Sequence, residues 1–275
     1  MTNPASAATP EQIVRRLDWH VIRRLDGLLR GDYRSLFYGQ GLDIADLREY
    51  QAGDDVRAID WNVTARMDAP YVRQYLEDRA ITAWFLLDLS PSMAFGTVER
   101  EKRAVLIDLV ATLARLLTRN GNRVGAVLQG VSERMVPAGG GRLQVLRLVN
   151  ELLRQPVAER APLTSLTRLA EAGLNAIKQR SLVFVISDFI SAPGWERPLR
   201  LLGQRHDLVA VRLWDPRETD LPDIGPIFME DAETGEQLYL DTGDRRFRER
   251  FRVAALERAR EIGAALERAG AGALA

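Results

Sequence analysis

The residues most able to do chemistry in this chain stand where apolar segments end. In FLLDLSPSM, Asp88, Ser90 and Ser92 occupy alternate positions directly after a run of large apolar side chains. A second apolar run, SLVFVISDF, ends in Ser187 and Asp188. Carboxylate, hydroxyl and water oxygens are the ligands that a hard divalent cation such as Mg²⁺ prefers. Because few carboxylates and several neutral hydroxyls leave such a cation under-neutralised, we expect a carboxylate from a partner to complete the site.

Strands and helices in alternation must position these residues. Continuous apolar segments predict buried strands at residues 81–88 and in RVGAVLQG, SLVFVISDF and HDLVAVRLWD, with ERMVPA as a short partner strand. Among these strands, helices are predicted from apolar spacing and end signals: one capped by Thr97, one after Gly139–Gly141, one from about Thr164 to Gln179, a short one before HDLVAVRLWD, and one from about Arg245. This alternation predicts an α/β fold with a mostly parallel sheet covered by helices on both faces. Ligands of such folds bind at the carboxyl ends of the strands, where the carboxylates and hydroxyls stand here.

Bulk composition favours neither nucleic acid nor membrane as a partner. The chain of 275 residues has a formal net charge of zero and a sequence pI of about 6.8, so its overall charge gives no attraction to polyanions. It contains no cysteine, which excludes disulfides, thiolate metal sites and a cysteine nucleophile. The start, MTNPASAATP, lacks the features of a signal peptide, and uncharged apolar stretches reach about ten residues against roughly 20 for a membrane span. We therefore expect a cytoplasmic protein. The small polar residues at its start are expected to be disordered, and helical spacing of apolar residues predicts a first helix from Gln12 to Leu29.

The segment DLSPS resembles the Asp-x-Ser-x-Ser loop of von Willebrand factor A domains, where this loop forms a metal-ion-dependent adhesion site. The resemblance implies a von Willebrand factor A-like, Rossmann-like sheet. It also implies that a threonine from a later loop and an aspartate after a following strand complete the site, and Thr164 and Asp188 fit those positions. A glycine usually precedes that threonine, whereas this chain has Pro-Leu there, so Ser165 and Thr167 remain alternatives to Thr164.

A longer pattern is similar to the bacterial family known as domain of unknown function 58. It comprises GLDIADLREYQAGDDVRAIDWNVTAR, DLSPSM, VISDF and DTGDRRFRERF. Members of that family are usually associated with MoxR-type AAA+ ATPases. The resemblance implies a non-enzymatic, metal-dependent protein-interaction module, an adaptor for such an ATPase in complex assembly or maturation. The cofactor implied is Mg²⁺, with Mn²⁺ or Ca²⁺ as alternatives, and the partner is the ATPase or another von Willebrand factor A-like protein whose acidic residue completes the metal site.

Three segments are expected along the chain. Residues 1–79 form an N-terminal helix and a charged extension with short strands, residues 80–215 form the von Willebrand factor A-like domain, and residues 216–275 add a loop, a strand and a helix that pack on it. The charged stretch 48–66 is either a partner surface or a salt-bridged brace in which Tyr50, Ile59 and Trp61 pack.

Two other functions are kept as alternatives: a metal-dependent phosphate-ester hydrolase that uses the Asp88 loop, and a metal-free scaffold in which the loop is only a turn before a helix. A dehalogenase-like phosphatase would have a second aspartate where Ser90 stands. A serine hydrolase would need a Gly-x-Ser-x-Gly elbow and a histidine base, but that elbow is missing and the only histidines are His20 and His206. We expect His206 at a surface or sheet edge, and Gly139–Gly141 as a turn, because the run lacks the Gly-Lys-Ser/Thr ending of a phosphate loop.

Overall fold

The computed structural model describes residues 44–51, 56, 59–67, 69–75, 81–96, 100–156, 166–230 and 235–274. The chain divides into two compact units, with one of them formed by residues 26–81. The predicted disordered start, the helix from Gln12 to Leu29, the cap Thr97 and the candidate ligand Thr164 all lie outside the described residues.

The unit formed by residues 26–81, the first unit, contains a small antiparallel sheet. Strand β1 (Ile44–Glu49) pairs with β2 (Tyr71–Tyr75), and a one-turn helix, α1 (Trp61–Thr64), lies between them in sequence. Asp60 caps this helix, because its side chain accepts hydrogen bonds from the backbone N–H groups of Asn62 (3.0 Å) and Val63 (3.3 Å). These strands confirm the predicted short strands of the extension. Trp61, which would pack in the brace alternative, is 68% exposed.

A six-stranded sheet forms the centre of the second unit. The strands of this unit, including a separate hairpin of β8 and β9, are β3 (Thr82–Asp88), β4 (Arg123–Gln129), β5 (Glu133–Gly139), β6 (Leu182–Ser187), β7 (Asp207–Arg212), β8 (Pro226–Glu230), β9 (Gln237–Asp241) and β10 (Gly272–Leu274). The order in the central sheet is β10-β7-β6-β3-β4-β5. Only β5 runs antiparallel to its neighbour.

Helices flank this sheet, and their bounds are α2 (Lys102–Arg119), α3 (Gly141–Arg154), α4 (Leu166–Ala176), α5 (Glu196–Arg205) and α6 (Arg245–Arg268). Apolar residues of α4, α5 and α6 form one buried cluster with alternate residues of the central strands, among them Trp84, Leu86, Val183 and Val185. Helices α2 and α3 pack on each other and contact β4. This arrangement confirms the predicted α/β fold, with a mostly parallel sheet and helices on both faces. No helix among the described residues has the length and apolar character needed to cross a bilayer.

Helix α2 differs in detail from the prediction. It begins at Lys102, after an extended Glu101, rather than in the turn that follows Thr97. In this helix Leu106 and Ile107 are buried, whereas Val105 is exposed.

Strand order reverses between β3 and β6. From β3 the chain continues to β4 and β5 on one side, and it then returns to β6 and β7 on the other side. In the register of this pair, Leu87 of β3 lies opposite Ile186 of β6. The next residues, Asp88 and Ser187, therefore reach the same edge of the sheet at the topological switch point, where α/β proteins bind their ligands.

Candidate functional site

Asp88 is the last residue of β3, and its carboxylate is held in one orientation. The residue is 2% exposed. Its Oδ1 accepts a hydrogen bond from the backbone N–H of Ser90 (3.0 Å), and its Oδ2 accepts one from the hydroxyl of Ser187 (2.7 Å). Ser187 is the last residue of the neighbouring strand, so the parallel register of β3 and β6 creates this contact directly. The carboxylate is therefore fixed before any ligand arrives.

The serine hydroxyls of the loop lie beside each other. Ser90 Oγ and Ser92 Oγ are 2.9 Å apart. The loop turns through a short 3-10 helix, Pro91–Ala94, in which Met93 is fully buried and its N–H donates to the carbonyl of Ser90 (3.0 Å). Met93 therefore anchors the turn in the core. Ser90 is buried whereas Ser92 is partly exposed, so the loop offers a hydroxyl to solvent at its open side.

Asp188 follows β6 and is 1% exposed. Its Oδ1 accepts a hydrogen bond from the N–H of Ile190 (3.0 Å), and the intervening Phe189 donates its N–H to Ser187 Oγ (2.9 Å). Phe189 has a φ of 60°, a left-handed conformation that is uncommon for a bulky residue and costs about 1 kcal/mol or more. Its ring is buried against Trp195, with ring centroids 5.6 Å apart. Packing thus holds a strained turn that presents Asp188 at the sheet edge.

The charge partner of Asp188 is Lys102, which the sequence did not lead us to expect. Lys102 is 4% exposed, and its Nζ lies 2.9 Å from Asp188 Oδ2 and 2.5 Å from Glu218 Oε1. Burial lowers the pKa of this lysine, but the charges and hydrogen bonds of Asp188 and Glu218 outweigh burial and raise it overall. Lys102 is therefore charged at neutral pH. The one feature of the sequence that could have drawn attention to Lys102 is that lysine is rare in this chain, since only two of the 38 basic residues are lysines.

Asp88 has no such cation. In the part of the chain that the structure describes, it forms no ion pair, and its pKa is raised from 3.8 to about 6. Burial is the main cause and the nearby negative charge of Asp188 adds to it, while hydrogen bonds from Ser187 and Ser90 work in the opposite direction. A buried carboxylate with this combination of neighbours would be stabilised by an additional positive charge.

The donor set fits a hard divalent cation. The structure brings together four of the five predicted ligands, namely Asp88, Ser90, Ser92 and Asp188. Thr164 and its alternative Ser165 lie outside the described residues, and the other alternative, Thr167, lies in α4. No cluster of three or more His, Asp or Glu side chains suited to a metal occurs in the described part of the chain. The ligands here would therefore be two carboxylates, hydroxyls and water, a set that suits Mg²⁺.

Comparison with known proteins places the chain in a family. Residues 46–261 match the family described as "Protein of unknown function DUF58". The chain belongs to this family. An uncharacterized protein of Mycobacterium tuberculosis strain H37Rv is 37% identical over 223 residues, which are 81% of this chain and 70% of that protein. An uncharacterized protein of Mycobacterium bovis shows the same values.

Solved structures with similarity to this DUF58 protein share little sequence with it. An aerotolerance-related membrane protein from Bacteroides fragilis has 14% identity and a TM-score of 0.46, over 70% of this chain and 90% of that chain. The conserved hypothetical protein BatB from Bacteroides thetaiotaomicron has 13% identity and a TM-score of 0.44, over 68% of this chain and 100% of that chain.

Proposed function

We propose that this DUF58 protein is a non-enzymatic protein-interaction module whose binding depends on a divalent cation, Mg²⁺ in the first instance. Asp88, Ser90, Ser92 and Asp188 would hold the cation, with Thr164 as a further ligand. The observation that carries the proposal is the state of Asp88: a buried carboxylate that has no counter-ion among the described residues and lies beside two hydroxyls 2.9 Å apart, at the switch point of the sheet.

Each of these residues has a defined task. Ser187 and the backbone N–H of Ser90 keep the Asp88 carboxylate in one orientation. Lys102 contacts both Asp188 and Glu218, and its one positive charge offsets one of these two carboxylate charges. A bound cation would supply the positive charge that attracts a carboxylate from the partner. Ser92, being partly exposed, marks the side on which that carboxylate arrives.

The proposed partner is a MoxR-type AAA+ ATPase, with another von Willebrand factor A-like protein as the alternative. The support for this choice is the resemblance to the DUF58 family, whose members are usually associated with such ATPases, together with the match of residues 46–261 to that family. In this role the protein would be an adaptor that links the ATPase to a complex under assembly or maturation.

A non-enzymatic role agrees with the side chains near the site. His206 precedes β7 and so lies at the opposite, amino end of the parallel strands. It is buried rather than at the surface as we predicted, and neither ring nitrogen has a hydrogen-bond partner within the described residues. Burial and the charge of Arg205 lower its pKa, with Asp207 opposing them. This histidine is therefore a neutral core residue and does not serve the Asp88 edge as a base.

A capture experiment tests the proposal. The tagged parent and Asp88→Ala are each incubated with native lysate in Mg²⁺ and in chelator, and Glu171→Ala, an exposed carboxylate on α4, is the control. We expect an AAA+ ATPase with the parent and the control in Mg²⁺ only. Recovery by Asp88→Ala in Mg²⁺, or by the parent in chelator, that equals recovery by the parent in Mg²⁺ would contradict a metal-dependent interface.

A metal-free scaffold is the second candidate, and one observation favours it. Lys102 already supplies a buried positive charge to Asp188 and Glu218. If that charge suffices, chelator leaves partner capture unchanged while Lys102→Met abolishes it. The metal-dependent module predicts loss of capture in chelator with Lys102 intact.

A further inference from the structure

Three neighbouring strands end in a polar residue at the edge of the sheet where the Asp88 loop begins. Asp88 ends β3, Ser187 ends β6 on one side of it, and Gln129 ends β4 on the other side. Ser187 donates its hydroxyl hydrogen bond to the Asp88 carboxylate (2.7 Å). Gln129 is the direct partner of Asp88 in the parallel register of β3 and β4. Asp88 thus has a polar neighbour on each adjacent strand.

The Gln129 side chain lies on the same face of the sheet as the Asp88 side chain. Register partners in parallel strands point to one face, and successive residues along a strand alternate between faces. Two positions earlier, Leu86 and Val127 are also register partners, and both belong to the buried cluster on one face of the sheet. Two residues further along the strands, Asp88 and Gln129 therefore lie on that same face.

The amide oxygen of Gln129 is buried without a partner. Its Oε1 has no hydrogen-bond donor among the described residues. Such an acceptor is rare in folded proteins, because it has given up its hydrogen bonds to water without replacement. Gln144 on α3 shows the usual state of a buried glutamine, since its Nε2 donates to the carbonyl oxygens of Val124 (2.9 Å) and Pro137 (2.7 Å). The Gln129 oxygen therefore lacks a donor beside the proposed cation site.

A water ligand of a divalent cation is a suitable donor for this oxygen. The buried ammonium of Lys102 is already engaged by Asp188 and Glu218. Mg²⁺ usually keeps several of its waters when it is bound by one or two carboxylates, and groups that hydrogen-bond to the ligands of a metal orient those ligands and increase affinity. An amide oxygen is also neutral, so it accepts such a hydrogen bond without cancelling the positive charge of the cation.

We propose that Gln129 is a positioning residue of the cation site and that its Oε1 accepts a hydrogen bond from a water ligand of the cation. The inference rests on the proposed function, because it requires a cation at Asp88. It adds β4 to the elements that form the site. Because the glutamine is uncharged, the charge of the cation stays available to a carboxylate of the partner.

Mg²⁺ titration calorimetry on two substitutions of the full chain tests the role of the oxygen. Gln129→Met keeps a similar length but has no strong acceptor, and it should bind Mg²⁺ about tenfold more weakly than the parent. Gln129→Glu keeps an acceptor oxygen and should bind Mg²⁺ at least as tightly as the parent. Equal Mg²⁺ affinity of Gln129→Met and the parent would overturn the proposal. Gln129→Glu binding as weakly as Gln129→Met would overturn it as well.

Urea unfolding gives a second readout that a purely structural role would not produce. In chelator, Gln129→Met removes an unsatisfied buried acceptor and should unfold at a urea midpoint equal to or above that of the parent. In saturating Mg²⁺ the parent should gain more stability than Gln129→Met, because a ligand stabilises the state that binds it more tightly. A Gln129→Met protein destabilised equally with and without Mg²⁺ would show that Gln129 supports only the fold.

Gln144→Met is the matched control, since Gln144 is also a buried glutamine but has its hydrogen bonds within the protein. It should lower the urea midpoint and leave the Mg²⁺ affinity unchanged. If Gln144→Met weakened Mg²⁺ binding as much as Gln129→Met, the loss at Gln129 would reflect general loosening of the sheet, and the proposal would be wrong.

Asp88→Asn separates failure of this inference from failure of the proposed function. If the parent binds Mg²⁺, Asp88→Asn does not, and Gln129→Met binds as the parent does, the role of Gln129 is contradicted while the cation site stands. If the parent shows no saturable Mg²⁺ binding, both are contradicted. Weaker binding in Gln129→Met, with binding retained in Gln129→Glu and Gln144→Met, supports both.

Discussion

Asp88 and Lys102 determine the electrostatics of the sheet edge. Lys102 is a buried ammonium with two carboxylate partners, whereas Asp88 is a buried carboxylate whose neighbouring charge is negative. The edge therefore contains the ion pair of Lys102 with Asp188 and Glu218. On the neighbouring strand it contains the Asp88 carboxylate, which has no positive charge beside it among the described residues. A cation held by Asp88 and Asp188 would supply the positive charge that Asp88 lacks among the described residues.

Removing the charge of Asp88 is expected to stabilise the protein when no divalent cation is present. Because its pKa is about 6 in the folded protein against 3.8 ordinarily, the folded state holds the proton more tightly, and stability falls as pH rises from about 4 to 6. Asp88→Asn lacks this penalty and should be more stable than the parent at pH 8 by on the order of 2 kcal/mol. Urea unfolding in chelator at pH 5 and pH 8 measures the difference, which should be smaller at pH 5. A variant less stable than the parent at pH 8 would contradict this assignment.

Removing Lys102 is expected to be strongly destabilising. Lys102→Met leaves Asp188 and Glu218 without their buried partner and should lower the free energy of unfolding by about 3–5 kcal/mol. The raised pKa means that the contribution of Lys102 is fully present below its ordinary pKa of 10.5 and is lost only as pH rises above it. Urea unfolding at pH 7 tests this expectation.

The other lysine provides the control for that experiment. Lys178 is exposed, so Lys178→Met should change stability by less than about 0.5 kcal/mol. Adding Asp188→Asn to Lys102→Met should recover part of the loss, because it removes one of the uncompensated charges. Equal effects of the two lysine substitutions would show that the Lys102 pair contributes little.

Sequence reasoning found the residues of the loop and missed their counter-charge. Asp88, Ser90 and Ser92 are recognisable because local alternation after an apolar strand places three oxygens together. Lys102 and Asp188 are 86 positions apart in the chain, so the sequence does not show that they meet. A lysine between two other charged residues is also typical of a protein surface. Only the packing of α2 on the sheet brings this ammonium to the edge.

At the scale of elements, the ends of α5 and α6 approach each other closely. A Cβ on Gly203 in α5 would collide with the backbone carbonyl oxygen of Ala269, the residue just after α6. This approach directs the chain into β10, which adds a parallel strand beside β7. We did not predict β10, because its segment is short and follows a helix without any apolar run.

Gly203→Ala is therefore expected to destabilise the protein by about 2–3 kcal/mol, since backbone rather than a flexible side chain must move. Gly263→Ala, on α6, is the matched control, because nothing lies within 4 Å of the added Cβ. It should stabilise the helix by about 0.5–1 kcal/mol. Thermal unfolding of both variants tests the contact, and a Gly203→Ala protein as stable as the control would contradict it.

Elements were predictable to the extent that their signal was local. Four parallel strands of the sheet were predicted because their segments are continuous apolar runs, and α6 begins at Arg245 as predicted. A strand was predicted within residues 216–275, but the two-stranded β8–β9 hairpin was not, because its segment is rich in Pro, Gly and Asp and the alternate residues of β8 are exposed. The hairpin nevertheless forms one wall of a groove of about 470 Å³ that opens beside Ser92 and Asp188, so this omission concealed the groove.

For the whole molecule, the connection between fold and proposed function is the reversal of strand order. It places Asp88 and Asp188 at one edge, and the groove continues from that edge between α6 and the hairpin. Family membership covers residues 46–261 and so includes both the loop and the groove.

Isothermal titration calorimetry with Mg²⁺ tests the central claim most directly. The parent and Glu171→Ala should each show one saturable site, Ser92→Ala should bind about tenfold more weakly, and Asp88→Asn should show no saturable heat. Identical titration curves for the parent and Asp88→Asn would contradict a cation site at the Asp88 loop.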